Sequence, residues 1–187
     1  MDIRSFEITG LKLLVPRHLG DGRGYFAETF RADVFAQHCG DFPFVQDNES
    51  LSARAGTIRG LHFQSEPHAQ GKLVRCTAGA LHDVAVDIRR GSPTFGHWIG
   101  ETLSPENGYQ LWIPPGFAHG FCTLTDNTVI TYKVTNYYSA ACDKGLAWND
   151  PMLDIAWPGA ANPETLSAKD RKQPSLAELP ACFTWSR

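Results

Sequence analysis

A chain of 187 residues and 20.7 kDa buries about 70% of the surface its unfolded form exposes, so it needs no staples to hold a core. Its 42% hydrophobic and 11% aromatic content excludes overall disorder. Seventeen basic against twenty acidic residues leave a net charge of −3, which argues against a dedicated nucleic-acid binder but permits a local basic pocket for a phosphorylated ligand.

Charges at Asp2, Arg4 and Glu7 stand where a signal peptide needs its apolar stretch, and no run approaches the ~18–20 apolar residues of a membrane span. The five cysteines are odd in number, widely spaced and contain no CxxC pair, which makes a disulfide framework or structural zinc site a poor reading. The expectation is a reduced, soluble, cytoplasmic protein with one domain over residues 1–187.

Alternation of period two is the recurring pattern. In chain order it predicts strands at residues 6–9, 11–15, 24–29, 56–64, 72–77, 82–89, 97–103, 109–113 and 128–138. Gly- and Pro-rich turns separate them, as in Arg90-Gly91-Ser92-Pro93 and Pro114-Pro115-Gly116. Residues 31–39, closed by Gly40, predict a two-turn helix. Residues 167–172 and 175–179 predict short capped turns, each opening on Ser with an acid three positions on. The last ~40 residues, rich in proline, wrap the β core irregularly. Many short strands at this spacing make a sandwich or barrel.

Several segments have residues suited to chemistry. Arg59 and His62 sit three apart among glycines, either on a pocket wall or as a surface arginine and a half-buried histidine on a bulged strand. His119 follows the Pro114-Pro115-Gly116 turn, and a histidine among aromatics is more often core than ligand. In residues 128–138 the even positions place Ile130, Tyr132, Val134 and Tyr138 on one face, with Thr131, Lys133 and Thr135 opposite. In residues 82–89, Val84, Val86 and Ile88 oppose Asp83, Asp87 and Arg89. Polar clusters gather Arg23 with Glu28 in one segment, Gln46, Asp47 and Asn48 in a second, and Lys72 with Arg75 in a third.

Taken together these segments resemble the dTDP-4-dehydrorhamnose 3,5-epimerase family, from about residue 24 to 170. The resemblance rests on Arg23-Gly24-Tyr25-Phe26-x-Glu28, Gln46-x-Asn48-x-Ser50, Arg59-Gly60-Leu61-His62-x-Gln64, Gln70-Gly71-Lys72-Leu73-Val74-Arg75 and Asp83-Val84-Ala85-Val86-Asp87. It continues through Ser92-Pro93-Thr94-Phe95-Gly96, Trp112-Ile113-Pro114-x-Gly116-Phe117-Ala118-His119-Gly120-Phe121 and Trp148-Asn149-Asp150-Pro151. It implies a mainly β fold, the cupin double-stranded β-helix or jelly roll, built as a homodimer. His62-Phe63-Gln64 lacks the second histidine of a cupin metal pair, so neither metal nor cofactor is expected.

The resemblance further implies a dTDP-4-keto-6-deoxy sugar as substrate, inverted at C3 and C5 through enolates on the C4 ketone. His62 matches the base, oriented by Asp170, and Tyr132 matches the acid. Lys72 matches the oxyanion stabiliser, with His119 as a second donor. Binding positions carry over at Arg23, Glu28, Gln46, Asp47, Asn48, Arg59, Lys72, His119 and Lys169, and Tyr138 matches the tyrosine that stacks on thymine. Asp143 stands where the family commonly has glutamate, and Glu49 where histidine is frequent. A mono-epimerase, a 3,4-ketoisomerase and a non-catalytic sugar-nucleotide binder are the rival readings. The last would need neither Tyr132 nor the His62–Asp170 pair.

Overall fold

The computed structural model describes residues 1–185. Its strands are β1 (Asp2–Ser5), β2 (Lys12–Val15), β3 (Leu19–Asp21), β4 (Gly24–Phe26), β5 (Gln46–Ser52), β6 (Ile58–Gln64), β7 (Lys72–Ala78) and β8 (Leu81–Asp87). There follow β9 (Arg89–Arg90), β10 (Trp98–Leu103), β11 (Gln110–Ile113), β12 (Phe117–Thr123), β13 (Thr128–Val134), β14 (Asp143–Gly145) and β15 (Phe183–Thr184). One helix, α1 (Ala32–Cys39), lies between β4 and β5 and closes at Gly40, whose φ of 98° suits glycine.

Two antiparallel sheets face each other. The larger runs β1-β2-β11-β7-β13-β5 and the smaller β10-β8-β12-β6-β14. Successive strands cross between sheets, as in the jelly roll that the resemblance implies. Between the sheets, Val74, Cys76, Leu111, Ile113 and Ile130 pack on Leu81, Ala85, Leu103, Phe117 and Phe121. This core fills one end of the sandwich. At the other end the inward positions of β7 and β13 are Lys72 and Tyr132, and the interior opens.

The outer face of the smaller sheet is also apolar. Leu61, Phe63, Val84, Val86 and Ala118 pack on Leu146, Leu153, Leu176 and Leu179 from the irregular C-terminal wrap. Fully burying each large aliphatic contributes roughly 1.5–3 kcal/mol, enough to fix a segment with little secondary structure of its own. On the larger sheet, α1 brings Phe35 onto Leu14, Leu73 and Trp112.

Some elements differ from the sequence pattern. Residues 6–9 form a turn rather than a strand, with Leu11 N–H donating to Ile8 C=O. Their apolar side chains serve the core without joining a ladder. The strand at 128–138 stops at Val134, and that at 24–29 stops at Phe26. Strands β5 and β12 carry no alternation of apolar and polar residues and arise where the sequence pattern shows none.

Candidate active site

A cavity of about 490 Å³ opens between the sheets, lined by β5, β6, β7, β13, β14 and the segment around residues 165–170. The side chains of Arg59 and His62 both enter it, although they are three positions apart along β6. A bulge makes this possible. The register against β12 slips between the His119↔His62 and Phe121↔Arg59 pairs, turning an odd spacing onto one face. Gly60 lies in the slip at φ 131°, and a Cβ there would stand 2.5 Å from Gly120 Cα. Only glycine fits both the angle and the approach.

His62 Nε2 donates to Asp170 Oδ1 at 2.6 Å, which leaves the Nδ1 lone pair free to accept a proton. Asp170 opens a 3₁₀ turn, and its N–H donates to Ser167 Oγ at 3.1 Å. Ser167 thus ties down the backbone of Asp170, and the carboxylate reaches the imidazole. Burial alone would raise the Asp170 carboxyl, but the His62 and Ser167 bonds hold it below the usual carboxylate range.

Tyr132 projects from the larger sheet, opposite His62 on the smaller one, and both line the cavity. Burial raises the Tyr132 phenol, against the pull of Arg59, and keeps its proton available. Lys72, half-buried, lines the same cavity, its Nζ 3.5 Å from the His62 carbonyl. Burial brings its ammonium down to about 8, against the opposing charges of Asp83 and Asp143.

The mouth is polar. Arg59 is tied to β5 through Ser52 Oγ at 3.2 Å and Leu51 C=O at 3.0 Å, with further guanidinium donors unused. Gln46 Nε2 donates to Asn48 Oδ1 at 2.7 Å. Tyr138 arrives from the loop after β13 rather than from a continued strand, and it is exposed. Its hydroxyl donates to Asp143 Oδ2 at 3.1 Å, and Lys169 Nζ donates to the same oxygen.

Four expected binding residues lie elsewhere. Asp47 sits between Gln46 and Asn48, so alternation turns it to the outer face, where it pairs with Lys133 Nζ at 3.0 Å. Glu49 is turned the same way, so its charge does not face the cavity. Arg23 is exposed and pairs with Asp21 across the β3–β4 hairpin, and Glu28 is exposed beyond it. His119 is buried beneath the cavity. Its Nε2 donates to Asp83 Oδ1 at 2.7 Å, and burial lowers the imidazole against the pull of Asp83. A neutral ring has one N–H, and here Asp83 takes it. In this arrangement His119 is no direct donor to a ligand oxygen.

The cavity also holds residues to which the sequence pattern assigns no role. Gln64 donates to His68 and Tyr137 carbonyls at 2.6 and 3.1 Å and accepts from Ser139 N–H at 2.7 Å, holding the loop that carries Tyr138. Gln70 donates to Asn136 C=O at 2.7 Å on the same loop. Their place in the His62-x-Gln64 and Gln70-Gly71-Lys72 motifs is the available signal.

Residues 5–178 match the family model described as dTDP-4-dehydrorhamnose 3,5-epimerase. A relative of that name from Sinorhizobium fredii is 59% identical over 185 residues, covering 99% of this chain and 94% of its own. The Legionella pneumophila dTDP-6-deoxy-D-glucose-3,5-epimerase, solved with dTDP-4-keto-L-rhamnose, superposes with a TM-score of 0.92 at 42% identity, covering 100% of this chain and 99% of its own. The 3′-monoepimerase ChmJ from Streptomyces bikiniensis, solved with dTDP-quinovose, superposes at 0.86 and 36% identity, covering 92% of this chain and 86% of its own. With a histidine–aspartate pair and a tyrosine on opposite walls of its cavity, and this likeness along almost its whole length, the chain belongs to the dTDP-4-dehydrorhamnose 3,5-epimerase family.

Proposed function

We propose that the protein inverts C3 and C5 of dTDP-4-dehydro-6-deoxy-D-glucose, giving dTDP-4-dehydro-L-rhamnose for deoxysugar synthesis. The observation that carries this reading is the placement of His62 and Tyr132 on facing sheets. The C4 ketone acidifies the hydrogens on both neighbouring carbons. His62 Nδ1 takes one of them, and the electron pair delocalises onto the ketone oxygen beside the Lys72 ammonium. Tyr132 then delivers a proton to the other ring face, which inverts the carbon. Asp170 stabilises the imidazolium. Arg59 suits the diphosphate because its fork matches phosphate oxygens, and Tyr138, an exposed aromatic ring at the mouth, suits stacking on thymine. The acid–base set needs no metal.

The protein acts in the cytoplasm as a homodimer and has no nucleic-acid partner. All five cysteines are unpaired, which suits a reducing compartment. Leu19, Tyr25 and Phe26 expose apolar surface on the hairpin that carries Arg23, and a second copy would cover it. Arg23 and Glu28 would then reach the partner's cavity. Sedimentation at micromolar concentration should give twice the chain mass, and a monomer would refute this assembly.

The activity is tested by incubating the purified protein with dTDP-4-dehydro-6-deoxy-D-glucose and following the ring protons by NMR. Inversion at both carbons is expected. Inversion at one would assign a mono-epimerase, and tight binding without conversion a sugar-nucleotide binder.

A further inference from the structure

Asp83 belongs to a motif that the acid–base scheme leaves without a task. It lies on β8, one strand from His119 and two from His62, in the order β8-β12-β6. Its parity is that of Leu81 and Ala85, which pack between the sheets, so the carboxylate points inward and is fully buried. One oxygen accepts from His119. The other, Oδ2, has no hydrogen-bond partner among the described residues. An unpaired buried carboxylate oxygen is costly, and such a group persists where a nearby charge compensates it. That charge is Lys72. Asp83 is the strongest influence favouring the charged form of Lys72 against burial.

We propose that Asp83 is a positioning residue for the reaction, fixing the His119 ring through one oxygen and holding the Lys72 ammonium beneath the sugar ketone through the charge on the other. This rests on the epimerase reading above. The charges that act on Lys72 on β7 are those of Asp83 on β8, Asp143 on β14 and Lys169 from the C-terminal wrap. His119 on β12 is bonded to Asp83, is paired across the strands with His62, and feels the charge of Lys72. The developing enolate needs a cation that stays charged in a dry site. Asp83 supplies the counter-charge from behind, where it does not compete with substrate for the cavity.

The test is Asp83→Asn, which keeps the shape and removes the charge. In the wild type, turnover should fall on the alkaline side as Lys72 deprotonates near pH 8. In Asp83→Asn that limb should move down by about one pH unit, the lower end for loss of a close opposite charge. At pH 7 kcat should drop about twofold and above pH 9 close to tenfold, with KM within about twofold because the nucleotide contacts lie elsewhere. In a Lys72→Met background, Asp83→Asn should add little further loss. A limb that stays in place, or a loss of equal size in that background, overturns the proposal. If Asp83→Asn does not fold, imidazole ¹⁵N NMR of the wild type decides. His119 should be the Nε2–H tautomer, and a ring protonated at Nδ1 alone would contradict the arrangement. Wild-type conversion in the same assay tests the epimerase reading separately, and the NMR result does not depend on it.

Discussion

Two histidine–aspartate pairs lie side by side in the smaller sheet, because His62 and His119 are direct partners across β6 and β12. Their bonds are nearly equal, 2.6 Å to Asp170 and 2.7 Å to Asp83. Their access is not. The His62 side chain is 32% exposed and opens on the cavity, whereas that of His119 is 8% exposed and does not line it. A carboxylate orients either ring, but a base must also reach a C–H bond. Only His62 combines the orientation with the reach. The hydrogen bond defines a tautomer, and the wall the ring stands in decides whether that tautomer reaches a C–H bond.

The largest effect expected short of losing the base itself is at Tyr132. Tyr132→Phe removes one hydroxyl and should lower inversion by ~10²–10⁴-fold, while His62 continues to exchange the ring hydrogens with solvent from its own side. Inversion at the wild-type rate would show that the proton comes from another group. Arg59→Ala comes next. Loss of charge-assisted contacts should raise the substrate dissociation constant by roughly one to two powers of ten in a titration, as expected for 1.5–3 kcal/mol. Unchanged affinity would leave Arg59 as a brace between β6 and β5.

A smaller effect sharpens the contrast between open and sealed imidazoles. Burial lowers both His119 and His82 below the ordinary 6.5, and His82 Nε2 is buried without a partner among the described residues. The fold therefore favours their neutral forms. The stability this contributes is present above about pH 6.5 and lost as pH falls through the lowered folded values. Thermal melts should show the midpoint dropping between pH 7 and pH 5, by roughly 2–4 °C for each kcal/mol of stability lost. A flat profile would mean that neither ring is held neutral. The smallest effect expected is none: prolonged chelation should leave turnover unchanged, and activity restored by a divalent ion after its loss to EDTA would replace the acid–base account with a metal-dependent one.

What can be read from the sequence follows where regular alternation survives. Tyr132 is placed inward by its neighbours Ile130 and Val134, and the capped turn at residues 175–179 forms with Ser175 and Glu178 bonded as the pattern requires. The shared face of Arg59 and His62 is hidden, because a bulge at Gly60 breaks the period on which such readings depend. Strand β12 is hidden for another reason. Phe117 and Phe121 pack inward while Ala118 and Cys122 pack outward, so burial on both faces erases the polar half of the signal. Strand β5 shows the reverse, with a cavity on one side and an exposed surface on the other. Alternation sets Asp83 opposite an apolar face, and it lies there. That apolar face packs under the C-terminal wrap, so the acidic face is the interior one.

The central claim of the proposed reaction is that reach, not pairing, suits His62 to be its base. It is tested by following deuterium incorporation at C3 and C5 of the substrate in deuterated water, comparing His62→Ala with His119→Gln. The account predicts that His62→Ala binds the nucleotide yet incorporates no deuterium at either carbon, while His119→Gln incorporates it at both, more slowly than the wild type. Exchange persisting in His62→Ala, or abolished in His119→Gln alone, would contradict it.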